Sequence, residues 1–155
     1  MKLTKFLFLI LALALGNINA KAQKPLRTKH FNQEKGIAIQ GYDPVAYFVQ
    51  HKAVKGDKQF AVLADGITYY TSSQANKDIL LKNYRAYEPQ YGGWCAYAMG
   101  NTGEKVEVDP ETFKIQDGKL YLFYHTWTNN TLTKWNKEEA KLKVSADRNW
   151  INLFK

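Results

Sequence analysis

Apolar side chains alternate along Phe60, Val62 and Ala64, an Asp65-Gly66 pair interrupts them, and the alternation resumes at Ile67, Tyr69 and Thr71. Two such runs joined by Asp-Gly predict a β-hairpin, because both turn positions need positive φ and these residues accept it readily. The pattern returns at Phe113-Lys114-Ile115, Asp117-Gly118 and Leu120 to Tyr124, which predicts a second hairpin. Between the hairpins, Ser72 or Ser73 can cap a helix reaching about Asn83, with Ala75, Ile79 and Leu80 as its apolar stripe. Pro89 suits the first turn of a further helix carrying Tyr91 to Met99 and stopping near Gly100. The tail from Thr126 to Lys155 reads helical, with Leu142, Ala146, Trp150 and Leu153 spaced along one face. The expected fold is α+β: two hairpins in one small antiparallel sheet, helices packed on it, and a helical C-terminal segment.

The N-terminus has a different pattern. Lys2 and Lys5 precede an unbroken apolar run from Phe6 to Leu15, and Ala20-Lys21-Ala22 supplies a small-x-small exit. This is the layout of a secretory signal peptide, and the run is shorter than the roughly 20 apolar residues that span a bilayer. Residues 1–22 are therefore expected to be removed, leaving no stable membrane anchor and a periplasmic or secreted protein. Residues 23–35 are polar and aperiodic and read as a tether or as an arm lying on the domain, which occupies residues 36–155.

Composition narrows the picture slightly. The formal charge of +8 loses Lys2, Lys5 and Lys21 on cleavage, and the remaining lysines are dispersed. Nucleic acid is the wrong partner for an exported domain, and this mild basicity favours at most an anionic ligand or surface. The single cysteine, Cys95, excludes an internal disulfide.

Four stretches agree in order and spacing with one family. Gly41-Tyr42-Asp43-Pro44-Val45-Ala46-Tyr47-Phe48, Asp65-Gly66-Ile67-Thr68-Tyr69-Tyr70-Thr71-Ser72-Ser73, Tyr91-Gly92-Gly93-Trp94-Cys95-Ala96 and Asp117-Gly118-Lys119-Leu120-Tyr121-Leu122 resemble the exported bacterial YHS-domain proteins. The resemblance runs from about Ile39 to Trp150. It implies no defined reaction. Short metal-handling YHS domains place a cysteine two residues after Asp-Pro and more after the hairpin; Ala46 stands at the first position, and Thr71 to Asn76 contains no thiol.

Three kinds of chemistry remain open around Cys95. On a helix, Tyr91, Cys95 and Met99 would share a face, and a thiolate beside a thioether suits copper(I). With His125 added, Cys95, Met99 and His125 form the candidate copper or zinc set, although a plain core stripe has the same spacing. His51 and His30 are the other imidazoles. A small-ligand site can be drawn from Tyr42, Asp43, Tyr91 and the Gly92-Gly93 backbone, with Asp43 as a polar anchor made available by the bend before Pro44. A thiol-dependent enzyme would use Cys95, His125 as base, and Asp43 or Asp109 as orienting acid. The first reading is a binding or accessory domain; the alternatives are that enzyme or an inert interaction module.

Overall fold

The computed structural model describes residues 25–155. The expected signal peptide and its cleavage site lie outside them. Helix α1 covers residues 25–30, and β1 (Gln33–Glu34) pairs antiparallel with β2 (Ile37–Ala38). After a 3-10 turn at Ile39–Gly41 come α2 (Ala46–Val49), β3 (Asp57–Ala64), β4 (Ile67–Thr71) and α3 (Gln74–Lys82). Short 3-10 segments at Tyr84–Ala86 and Gln90–Gly93 lead to α4 (Ala96–Asn101), β5 (Asp109–Gln116) and β6 (Lys119–Phe123). A small hairpin, β7 (His125–Thr126) with β8 (Asn129–Asn130), precedes α5 (Thr131–Lys137) and α6 (Glu139–Asn152). The architecture is α+β, with small, mainly antiparallel sheets and C-terminal helices. No helix among the described residues is long and apolar enough to cross a membrane.

Both Asp-Gly hairpins form, with φ of 44° and 87° at Asp65 and Gly66 and 51° and 68° at Asp117 and Gly118. The Ser73 hydroxyl caps α3 by accepting the Asn76 N–H at 3.2 Å. The hairpins do not share a sheet. One sheet runs β1-β2-β4-β3, including a parallel β2-β4 contact, while β5-β6 stands apart and meets the chain through a Pro89–Leu120 bridge. The reason lies in β6, where Leu120, Tyr121, Leu122 and Phe123 are all buried in succession. A strand covered on both faces divides two cores instead of extending a half-exposed sheet. One core gathers Ile67, Tyr69, Leu80 and Leu122; the other gathers Met99, Tyr121, Phe123 and Trp135.

The helix expected from Pro89 is absent. Tyr91, Gly92 and Gly93 take φ of 55°, 60° and 87°, and the chain becomes helical only at Ala96. Left-handed backbone at three successive positions cannot belong to a right-handed helix. Tyr91, Cys95 and Met99 therefore do not form a helical stripe. The helix does stop near Gly100, at Asn101, but Gly100 lies inside it and Thr102 takes the C-cap position. The start of the tail also departs from expectation: the β7-β8 hairpin precedes the helices, and the Asn130 side chain caps α5 through Leu132 N–H at 3.0 Å. The arm, for its part, packs onto the domain, supplying α1 and an edge strand.

Candidate functional site

The left-handed turn at Tyr91-Gly92-Gly93 forms part of a groove of about 750 Å³, bounded by α1 on one side and the second half of α6 on the other. The turn is tied to the arm. Asn32 donates its backbone N–H to Gly92 O at 2.9 Å and its side-chain amide to Gly93 O at 3.3 Å. Trp94 Nε1 donates to His30 O at 2.7 Å. A Cβ on Gly92 would lie 2.7 Å from the Trp150 ring and 3.1 Å from Phe31 Cα. The glycine is thus required for arm, turn and α6 to meet.

The groove wall is aromatic, with Phe31 packed edge-on against Trp150 at 5.8 Å and Trp150 against Phe154 at 5.0 Å. Its polar groups are mostly committed. Arg27 bonds Glu88 through both terminal nitrogens, at 3.3 and 2.5 Å, and lies 4.4 Å over the Phe31 ring. Tyr69 also donates to Glu88, at 2.7 Å. Arg27 Nε is buried with no acceptor among the described residues. Tyr91 donates to Asp147 at 3.0 Å, and burial followed by the Asp147 charge pushes its phenol well above the ordinary range. At neutral pH Tyr91 is consequently a fixed donor.

Of the residues expected at a ligand site, Tyr91 and Gly92 line this groove, and Gly93 stands beside it. Tyr42 and Asp43 have other partners. The Tyr42 hydroxyl donates to Glu111 at 3.1 Å, while the Lys55 ammonium sits 3.9 Å over its ring. Asp43 is wholly buried and accepts hydrogen bonds from Val45 and Ala46 N–H, from Ser72 N–H and hydroxyl, and from the Asn76 amide. The bend before Pro44 does not leave this carboxylate available. It joins the start of α2 to the end of the β3-β4 hairpin.

Cys95 is also wholly buried, just before α4. Its sulfur accepts the Tyr124 N–H at 3.3 Å and lies 3.3 Å from Thr131 Oγ1. The Thr131 hydroxyl has one proton, and that proton goes to Tyr124 O at 2.8 Å. The thiol must therefore donate to Thr131 Oγ1. Cys95 thus fills the place of a backbone acceptor at the end of β6. A thiol-specific disulfide reagent should label the native protein only as fast as it unfolds, and labelling should be complete in denaturant; rapid native labelling would refute this role. Cys95→Ala should cost about 2 kcal/mol in urea unfolding, because the buried Tyr124 N–H loses its acceptor.

The candidate metal set is dispersed in its contacts. Cys95 packs in the first core and Met99 in the second. The His125 Nδ1 turns to Thr112 Oγ1 at 2.9 Å and Asp109 at 3.3 Å, on the partly exposed side of β5. Because Thr112 gives its own proton to Asp109, at 2.9 Å, His125 Nδ1–H is the donor to Thr112. His125 and Asp109 do meet, as a thiol enzyme would need, but the Cys95 sulfur is sealed in the core. His51 is exposed. Among the described residues no group of three or more His, Cys, Asp or Glu could hold a metal ion.

No family model matches the chain, and no curated protein or solved structure matches it.

Sequence reading missed Arg27, Glu88 and Asp147. Trp150 was visible on the α6 stripe, but nothing local marked the stripe's far end as a groove wall. His30 belongs to the segment before the domain, and in the fold it is buried, its ring 5.3 Å from Phe154 and its Nδ1 3.0 Å from the Lys105 ammonium. Burial, then the Lys105 and Lys29 charges, hold the His30 imidazole below its ordinary value of 6.5. Burial, then Lys29, lowers the Lys105 ammonium as well. The unfolded chain thus binds the His30 proton more readily, so this contribution to stability is complete above pH 6.5 and is lost as the pH falls below it. The melting temperature should drop between pH 7 and pH 5, and His30→Gln, which retains an acceptor for Lys105, should flatten that slope. An unchanged slope in the variant would remove His30 as its source.

Proposed function

We propose that this chain is an exported, YHS-type binding module with no catalytic thiol, and that the groove between α1 and α6 takes a small organic ligand. The observation that carries this reading is the joint use of Tyr91-Gly92-Gly93-Trp94-Cys95. Its first two residues line the groove, while its cysteine closes a hydrogen-bond ring inside the core. The volume of about 750 Å³ falls within the usual range for small-molecule sites, and the combination of an aromatic wall with a few polar groups fits such a site. The buried sulfur, with its proton committed, favours binding over covalent chemistry. The secretory pattern of residues 1–22 supports export.

The test is a nitrogen-15 chemical-shift titration of the purified protein with amphipathic small molecules. Shifts concentrated at the Gly92 amide and the Trp150 indole are expected. Binding with shifts centred on His125 and Asp109, or no saturable binding to the panel, would overturn the assignment of the groove.

A further inference from the structure

We infer that the groove selects a small organic monoanion with an apolar or aromatic body, an inference that rests on the groove being the binding site. Hydrogen-bonding capacity decides the sign of the ligand. The groove contains the cations Arg27, Arg85 and Lys119 and the carboxylates Glu88 and Asp147. Glu88 already accepts two bonds from Arg27 and one from Tyr69, which leaves it about one acceptor position, and one Asp147 oxygen is taken by Tyr91. On the cationic side more capacity remains. Arg85 spends its Nε on Tyr84 and one terminal nitrogen on Asp65, leaving the other terminal nitrogen without a partner among the described residues.

The Lys119 side chain is exposed, and its ammonium has no hydrogen-bond or ionic partner among the described residues. The bridge from Pro89 to Leu120 brings the start of β6 beside the segment that contains Arg85, Glu88 and Gln90, so these donors share one edge of the groove. The Gln90 side chain is likewise uncommitted among the described residues. The α6 part of the lining adds the apolar surface of Trp150 and Ile151, and Ile151 is 58% exposed. Uncommitted donors together with apolar and aromatic lining match an acid group joined to a hydrocarbon or aryl body. A cation would find the second Asp147 oxygen, one Glu88 position, the Gln90 carbonyl and the aromatic faces, but Lys119 and Arg85 would repel it. The positive charge of the whole chain adds a weak pull in the same direction.

Three probes of equal chain length test this: decanoate, decanol and decyltrimethylammonium, each titrated below its aggregation threshold by calorimetry and nitrogen-15 shifts. Decanoate should bind at least tenfold more tightly than the other two, and added salt should narrow the gap. The double variant Arg85→Gln, Lys119→Gln should lose the decanoate preference while keeping the affinity for decanol, since both side chains are exposed and the aromatic wall is untouched. Equal binding of the three, or a preference for the cation, would overturn the ligand class and leave the groove as a binding site. No shifts at Gly92 and Trp150 with any probe would overturn the groove itself.

Discussion

Asp43→Ala is expected to lose roughly 4 kcal/mol of folding stability, read as a fall in the urea midpoint at unchanged slope. Five donors converge on this buried carboxylate, from α2, from the residue after β4 and from α3. Each buried donor left without an acceptor costs about 1–3 kcal/mol, less where water can enter as it can at part-exposed Ser72. Asp43→Asn should recover little, because the amide directs donor hydrogens at donors already in place. The outcome also bears on function. A loss below about 1 kcal/mol, together with weakened ligand binding, would return Asp43 to the role of ligand anchor. A large loss makes it the fastener of the first core.

Gly100→Ala should destabilise by about 2 kcal/mol even though alanine is the better helix former. Propensity alone favours the substitution by roughly 1 kcal/mol in a helix interior. A Cβ at this position, however, would lie 2.5 Å from the Leu142 carbonyl oxygen and 3.1 Å from its carbon. Backbone cannot rotate away as a side-chain tip can, so α4 and α6 would have to separate, and overpacking of this kind costs about 1–3 kcal/mol or more. Both helices pack around Met99, Leu142 and Ala146 in the second core. Thermal or urea unfolding gives the sign directly: a gain in stability would mean that α6 shifts at no cost.

The parts of the fold legible from sequence are those in which one short stretch carries its own physical cause. Asp65-Gly66 and Asp117-Gly118 supply positive φ where two-residue turns demand it, and Ser73 carries the acceptor that starts α3. The α6 stripe of Leu142, Ala146 and Trp150 reflects helical period alone. The stretch from Tyr91 to Met99 misled because Pro89 and the four-residue spacing of Tyr91, Cys95 and Met99 suit a helix, while the backbone becomes helical only from Ala96. Tyr91 accepts φ of 55° because it is buried, bonded to Asp147 and packed 6.0 Å from Tyr121, and both partners are remote in sequence. A non-glycine residue in the left-handed region costs of order 1 kcal/mol or more, which only such tertiary contacts can offset.

The same limit governed the candidate site. Cys95 is visible in any reading as the single thiol, yet its role depends on where Tyr124 and Thr131 arrive. Asp43 before Pro44 predicts a bend; that Ser72 and Asn76 close over its carboxylate follows from how the β3-β4 hairpin docks. Arg27 and Glu88, 61 positions apart in the chain, leave no mutual trace in their neighbours.

By itself, then, the sequence determined the two hairpin turns, the capped α3, the apolar face of α6 and the α+β class, because each depends on φ preference, capping or periodicity within a dozen or so residues. Tertiary structure alone decided the split into two sheets, the left-handed turn at Tyr91, the sealing of Cys95 and Asp43, and the groove between α1 and α6. Those features arise where segments distant in sequence compete for the same buried donors, acceptors and space, and that competition is settled only when the chain has closed around them.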